Sequence, residues 1–186
     1  MTRPATPSTR YTGFAIFMHW LVALAIFCIV PLGAYMHDLP LSPTKLQLYS
    51  YHKSLGICIL LLVIIRLLWR YGHKPPALPA SMSAKEQMIA HAMSHGMYLL
   101  LITSPLTGWL MSSFFGKPVV VFGLFQVPDL VAPSEDMGKL FATLHMLSNF
   151  TLATMITLHI LASLKHHFKD KDDVLARMLP FLARNR

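Results

Sequence analysis

The chain has 186 residues, of which 54% are hydrophobic and only 13% charged; soluble domains carry roughly 25% charged residues, so lipid, not water, is the expected solvent. A length of 186 residues leaves room for about four bilayer spans of ~20 residues with short loops, in a single domain covering 1–186. The formal charge of +8 argues for membrane orientation and against nucleic acid, because the basic residues sit beside apolar runs.

In chain order, the first apolar run extends from about Phe14 to Met36. Arg3 and Arg10 precede it as they would a signal peptide, but the run exceeds the ~7–15 residues of a signal core and no A-x-A-like site ends it, so it reads as a retained helix. A second span is expected over 50–70. A third is expected over 91–113, with Pro105 and Gly108 tolerated inside it. Between the third and fourth spans, Phe114 to Asp136 is apolar but broken by Gly116, Pro118, Gly123, Pro128 and Pro133, and reads as an interfacial loop. The fourth span is expected over 140–166. The fold class is therefore an all-α membrane protein, a four-transmembrane-helix bundle.

Lysine and arginine counts orient it. The N-tail, second loop and C-tail carry Arg3, Arg10, Arg66, Arg70, Lys74, Lys85, Lys165, Lys169, Lys171, Arg177, Arg184 and Arg186, against Lys45, Lys53, Lys117 and Lys139 on the other side. This asymmetry places both termini in the cytoplasm. Cys28 and Cys58 lie in apolar runs and read as small core residues, and no C-x-x-C-H occurs, which excludes a covalently attached c-type haem at the motif level.

Four histidines fall within the spans: His19, His52, His145 and His159. An ionisable residue at membrane depth is costly and points to function. His145 and His159 are fourteen residues apart, which returns the second to within roughly 40° of the first and separates them by about 21 Å along one face. Helix direction then sorts all four by depth. His19 pairs with His159 near the cytoplasmic side, and His52 pairs with His145 near the outer side. Each pair takes one imidazole from each of two helices, an arrangement suited to the axial positions of a haem iron. Two non-covalent, bis-histidine haem b groups are the expected cofactors. One turn along from the histidines stand Ala23, Gly56, Asn149 and Ser163. Gly56 would let a flat macrocycle approach the backbone, although small residues recur at membrane helix interfaces in any case.

Arg66 and Arg70 lie one turn apart at the inner end of the second span, where they can pair with haem propionates or simply anchor the helix. Lys53 beside His52 is their outer counterpart. His91 and His95, four apart, can bind a metal, replace His19 as inner ligand, or sit at a cofactor edge. His166 and His167 read as part of a basic cluster facing headgroups. Zinc fits poorly, since structural zinc sites prefer short spacings and often cysteine.

The segments HWLVAL at His19, YHKSLGICILLLVIIRLLWR around His52, YLLLITSPLTGWLM in the third span, FGKPVVVFG in the outer loop, and HMLSNFTLATMITLHILASLKHHF resemble the bacterial cytochrome b561 family, and together they cover nearly the whole chain. The resemblance implies a di-haem b membrane cytochrome of the bacterial inner membrane, with His19, His52, His145 and His159 as metal ligands. Within the family it is nearest to the type that oxidises superoxide to dioxygen at the outer side and reduces ubiquinone to ubiquinol. Two other readings remain. One is a relay cytochrome b serving a partner dehydrogenase or periplasmic redox protein, without superoxide chemistry. The other is a non-redox membrane protein with coincidental histidines.

Overall fold

The computed structural model describes residues 10–182; Arg3, Arg184 and Arg186 of the charge count lie outside them. Among the described residues, four helices are long and apolar enough to cross a membrane. They are α1 (Gly13–Asp38), α2 (Pro43–Gly72), α3 (Ala84–Phe114) and α4 (Glu135–Lys165).

The first three helices start at a side-chain cap. The Thr12 hydroxyl accepts from the Ala15 amide, and the Ser42 hydroxyl accepts from the Lys45 amide ahead of Pro43. Ser83 and Glu86 form a reciprocal capping box. Ser134 makes no side-chain cap bond, but Glu135 and Asp136 lie in the first turn of α4, where the helix dipole favours negative charge. These caps start α2, α3 and α4 about one to two turns before the apolar spans of 50–70, 91–113 and 140–166. The extra turns carry Lys45, Gln47, Lys85, Glu86, Gln87, Glu135, Asp136 and Lys139 among their apolar residues, so hydropathy does not reveal them. Lys45 closes the α1–α2 turn by donating to the carbonyls of His37 and Leu39 at the end of α1.

The loop expected over Phe114–Asp136 contains an antiparallel hairpin, β1 (Val119–Val121) with β2 (Phe125–Val127), in which Val119 faces Val127 and Val121 faces Phe125. At the other end of the bundle, α4 runs into a π-helical turn over His166–Asp170. The chain then folds back, where the Met178 carbonyl accepts from the Trp20 indole and Arg177 reaches the Ala77 carbonyl.

Helix α1 packs on α2, α3 on α4, and α2 on α3. Val22, Ile59, Val63, Leu101 and Leu152, drawn from all four helices, form the buried apolar cluster. Leu152 lies midway between His145 and His159, so this layer separates two levels in the bundle. Large apolar side chains such as Leu24, Phe27, Leu61, Leu147 and Phe150 point outward, as lipid-facing surfaces require. Both cysteines are free.

Candidate cofactor sites

At one level, His19 of α1 and His159 of α4 face each other with ring centres 6.3 Å apart. At the other level, His52 of α2 and His145 of α4 do the same, also at 6.3 Å. A metal–imidazole bond of about 2 Å on each side, with about 1 Å from each ring nitrogen to its ring centre, spans about 6 Å. Each pair is thus spaced to take one metal ion between its two rings, and all four rings are half-buried.

Pairs at two depths follow from local sequence. His145 and His159 share a face of α4 because fourteen residues close nearly four helical turns. The rings are then aimed by their neighbours. His145 Nδ1 lies 2.9 Å from the Ser104 carbonyl. A carbonyl can only accept, so Nδ1 carries the proton and Nε2 keeps its lone pair free for a metal. The Asn149 amide bonds the His145 carbonyl and accepts from the Ser104 hydroxyl, tying α4 to α3 at this level.

Two glycines make room for the rings. A Cβ added at Gly108 would come within 3.0 Å of His145 Cε1, and one at Gly33 within 3.0 Å of His52 Cε1. The carbonyl four residues before each glycine faces the same ring: Ser104 for His145, and Ile29 for His52. The Ile29 contact falls short of hydrogen-bond geometry, and His52 Nδ1 is buried without a partner. Gly33, Gly108, Ser104 and Ile29 were invisible to a reading of histidine positions. A glycine inside each of two apolar helices, close to a helical proline, was the available signal.

A cavity of about 760 Å³ opens beside His52 and His145, lined also by Gly33, Gly56, Gly108 and Lys53. This lies within the range of cofactor pockets, about 300–1,000 Å³. Imidazole donors, an unpartnered buried ring nitrogen and glycine walls suit a flat macrocycle with a central metal. Lys53 points to the same mouth and donates to the carbonyls of Lys117 and Pro118 at 3.2 and 3.4 Å. Gly56 lines the cavity wall, where an added Cβ would meet only Ile29 Cδ1 at 3.8 Å. Of the residues one turn from the histidines, Ser163 bonds back to the His159 carbonyl.

Arg66 lies beside the His19/His159 pair, close enough to act electrostatically on both rings. Its Nε donates to the Tyr98 hydroxyl at 2.9 Å, while Nη1 is buried without a partner. Arg70 stands over the same tyrosine ring, 5.7 Å from its centre. Arg66, Arg70, Trp69 and Tyr98 line a small cavity there.

The other histidines stay apart from the two pairs. His91 and His95 are exposed, and His95 bonds the His91 carbonyl one turn back. His37 contacts Asp38, His73 stacks on Trp69, and His166 contacts Asp172. His166, Asp170 and Asp172 converge, but the Lys165 ammonium sits 2.8 Å from Asp170 and partly neutralises that cluster.

The profile of the family described as prokaryotic cytochrome b561 matches residues 10–181. The chain is similar to cytochrome b561 homolog 2 of Escherichia coli (strain K12), at 34% identity over 171 residues, covering 91% of each chain. It is also similar to the probable superoxide oxidase CybB of Yersinia pestis, at 29% identity over 176 residues, 92% of this chain and 96% of that one. Cytochrome b561 homolog 1 of Escherichia coli (strain K12) is 26% identical over 172 residues, 92% of this chain and 97% of the relative.

Proposed function

The chain belongs to the prokaryotic cytochrome b561 family of membrane electron-transfer proteins, and from that premise we propose that it is a single-domain, di-haem superoxide:ubiquinone oxidoreductase of the bacterial inner membrane, with both termini cytoplasmic. The observation that carries this reading is the pair of histidine pairs, each with ring centres 6.3 Å apart, at two depths of one bundle.

His19 with His159, and His52 with His145, would each hold one haem b by its iron. Haem, when bound, supplies a one-electron redox centre. The remaining work belongs to the chain. The Ser104 carbonyl holds the proton on His145 Nδ1 and so fixes which nitrogen is offered to a metal. Gly33 and Gly108 let the outer rings stand close to α1 and α3. Arg66 and Arg70 would pair with haem carboxylates as guanidinium groups suited to them, and the buried Arg66 Nη1 has no partner within the protein. The Val22–Leu152 layer keeps the two levels apart in an apolar medium. Lys53 sets a cation at the outer mouth, beside Tyr49 and His52. That charge favours an anion such as superoxide. In the proposed reaction two superoxide anions are oxidised to dioxygen, and ubiquinone takes the two electrons with two protons to give ubiquinol.

A second reading, a relay cytochrome b for a partner redox protein, is favoured by one observation: the relative at 34% identity is named only as a cytochrome b561 homolog, and the one named for superoxide stands at 29%. A superoxide pulse decides between them. Purified holoprotein should show haem reduction within the pulse and reoxidation on adding a soluble ubiquinone. Haems that stay oxidised in the pulse but are reduced by a co-purifying redox protein would establish the relay role.

A further inference from the structure

The hairpin between α3 and α4 has a composition at odds with a loop in water. The eleven residues from Pro118 to Pro128 carry no charge, while Lys117 and Asp129 flank them. Val121, Phe122, Gly123 and Leu124 form a tight turn, closed by the Leu124 amide bonding the Val121 carbonyl at 2.9 Å. Both central residues have positive φ, 47° at Phe122 and 75° at Gly123. Asn or Asp adopts the first of these positions readily in aqueous hairpins, and a bulky residue does not. Phenylalanine there accepts backbone strain to display a ring. Its neighbours Leu124, 81% exposed, and Phe125 add two more exposed apolar side chains at the same tip.

The depth of the hairpin is set by what holds it. Ser54, with no exposed surface, accepts from the Phe122 amide at 2.9 Å and lies 3.2 Å from the Val120 carbonyl. Ser54 is two residues further into the bundle than His52, on the side of the bundle centre. The histidine levels are about 21 Å apart, so each lies about 10 Å from the midplane, inside a hydrocarbon half-thickness of about 15 Å. The β1–β2 turn therefore hangs at acyl-chain depth. Backbone at that depth must have its polar groups paired. At the turn, the Phe122 amide donates to the Ser54 hydroxyl and the Leu124 amide to the Val121 carbonyl.

We propose that the β1–β2 hairpin is immersed in the leaflet opposite the termini, with Phe122, Leu124 and Phe125 among the acyl chains and Lys117 and Asp129 at headgroup level. Its inner face, Val119 and Val121, is buried against the helices, with Val119 lining the cavity beside His52. The immersed hairpin seals the seam between α2 and α3 against lipid. Access to the outer histidine level is then confined to the mouth lined by His37, Asp38, Tyr49 and Lys53. This inference rests on the membrane-spanning bundle and not on the superoxide reaction.

The test uses the full chain with Cys28→Ser and Cys58→Ser, carrying bimane at Leu124→Cys, or at Phe125→Cys as a second site. Each protein is reconstituted in phosphatidylcholine vesicles with or without nitroxide-labelled acyl chains. Leu147→Cys on the lipid-facing side of α4 and Lys139→Cys at its exposed start mark the two extremes. The hairpin labels should be quenched by nitroxide lipid as strongly as the Leu147→Cys label, and should lose the iodide quenching seen at Lys139→Cys. Iodide quenching like that of Lys139→Cys, without lipid quenching, would place the tip in water and overturn the proposal. The haem absorbance band, read on the same samples, reports separately on the cofactor reading.

Discussion

Replacing Gly108 by alanine should weaken haem binding at the His52/His145 site while leaving the His19/His159 site unchanged. The added methyl would lie 3.0 Å from His145 Cε1, 3.2 Å from Nδ1 and 3.5 Å from Nε2. Carbon atoms prefer about 3.5–4.0 Å, so the ring has to retreat by about half an ångström. It cannot do so freely, because Nδ1 is held at 2.9 Å by the Ser104 carbonyl, one turn earlier on the same helix as the new methyl. Either that bond breaks or the ring tilts off the line to its partner, 6.3 Å away. Disturbing the group that orients a metal-bound histidine lowers metal affinity by about 10–100-fold. Titration of apoprotein with haem, followed by the pyridine haemochrome assay, should show one site weakened by that factor. Gly33→Ala presses on His52 in the same way and should weaken the same site. Gly96→Ala is the control. Its added methyl meets Met155 Cε at 2.8 Å, the end of a flexible side chain that can rotate aside, so both sites should be retained. Gly108→Ala binding two haems with unchanged affinity would refute the reasoning from ring position.

Other substitutions probe separate parts of the account. Ser54→Ala leaves the Phe122 amide without its acceptor in an apolar setting, which should cost about 1–3 kcal/mol and lower the thermal midpoint in detergent; an unchanged midpoint would show that the hydroxyl contributes nothing. Lys53→Gln should slow reduction by superoxide and flatten its dependence on ionic strength, with Lys53→Arg restoring both, since the effect is one of charge. Stopped-flow absorbance at two salt concentrations measures it. Arg66→Gln removes a cation beside His19 and His159. The oxidised inner haem should then be favoured, lowering its midpoint by about 1 kcal/mol, or tens of millivolts for one electron. A redox titration in which both midpoints stay fixed would remove Arg66 from the site.

Much of the bundle could be read from hydropathy, because lipid imposes long apolar helices on any chain that crosses it. The helix starts could not, because Ser42 and Ser83 cap turns that carry polar residues and extend beyond the apolar runs. The approach of His19 to His159 and of His52 to His145 was legible from helix direction alone, which sorts residues by depth before any packing is known. What aims those rings was not legible. The Ser104 carbonyl is a backbone group, and its meeting with His145 depends on how α3 and α4 cross. Arg66 and Tyr98 are 32 residues apart, and nothing in their local sequence links them. The hairpin escaped for a different reason. Val119–Val121 has the β-branched composition of a strand, but Phe-Gly is an unusual pair for the turn that follows, and the flanking prolines and glycines favoured an irregular loop.

The central claim is that two histidine pairs hold two haems at two depths, and counting haem per chain tests it most directly. The purified protein should contain two haem b groups by pyridine haemochrome and quantitative amino-acid analysis. His145→Ala and His159→Ala should each retain one, with distinct absorbance bands and midpoints, because each removes a different level. A wild-type content of one haem or none, or two variants that lose the same haem, would contradict the account.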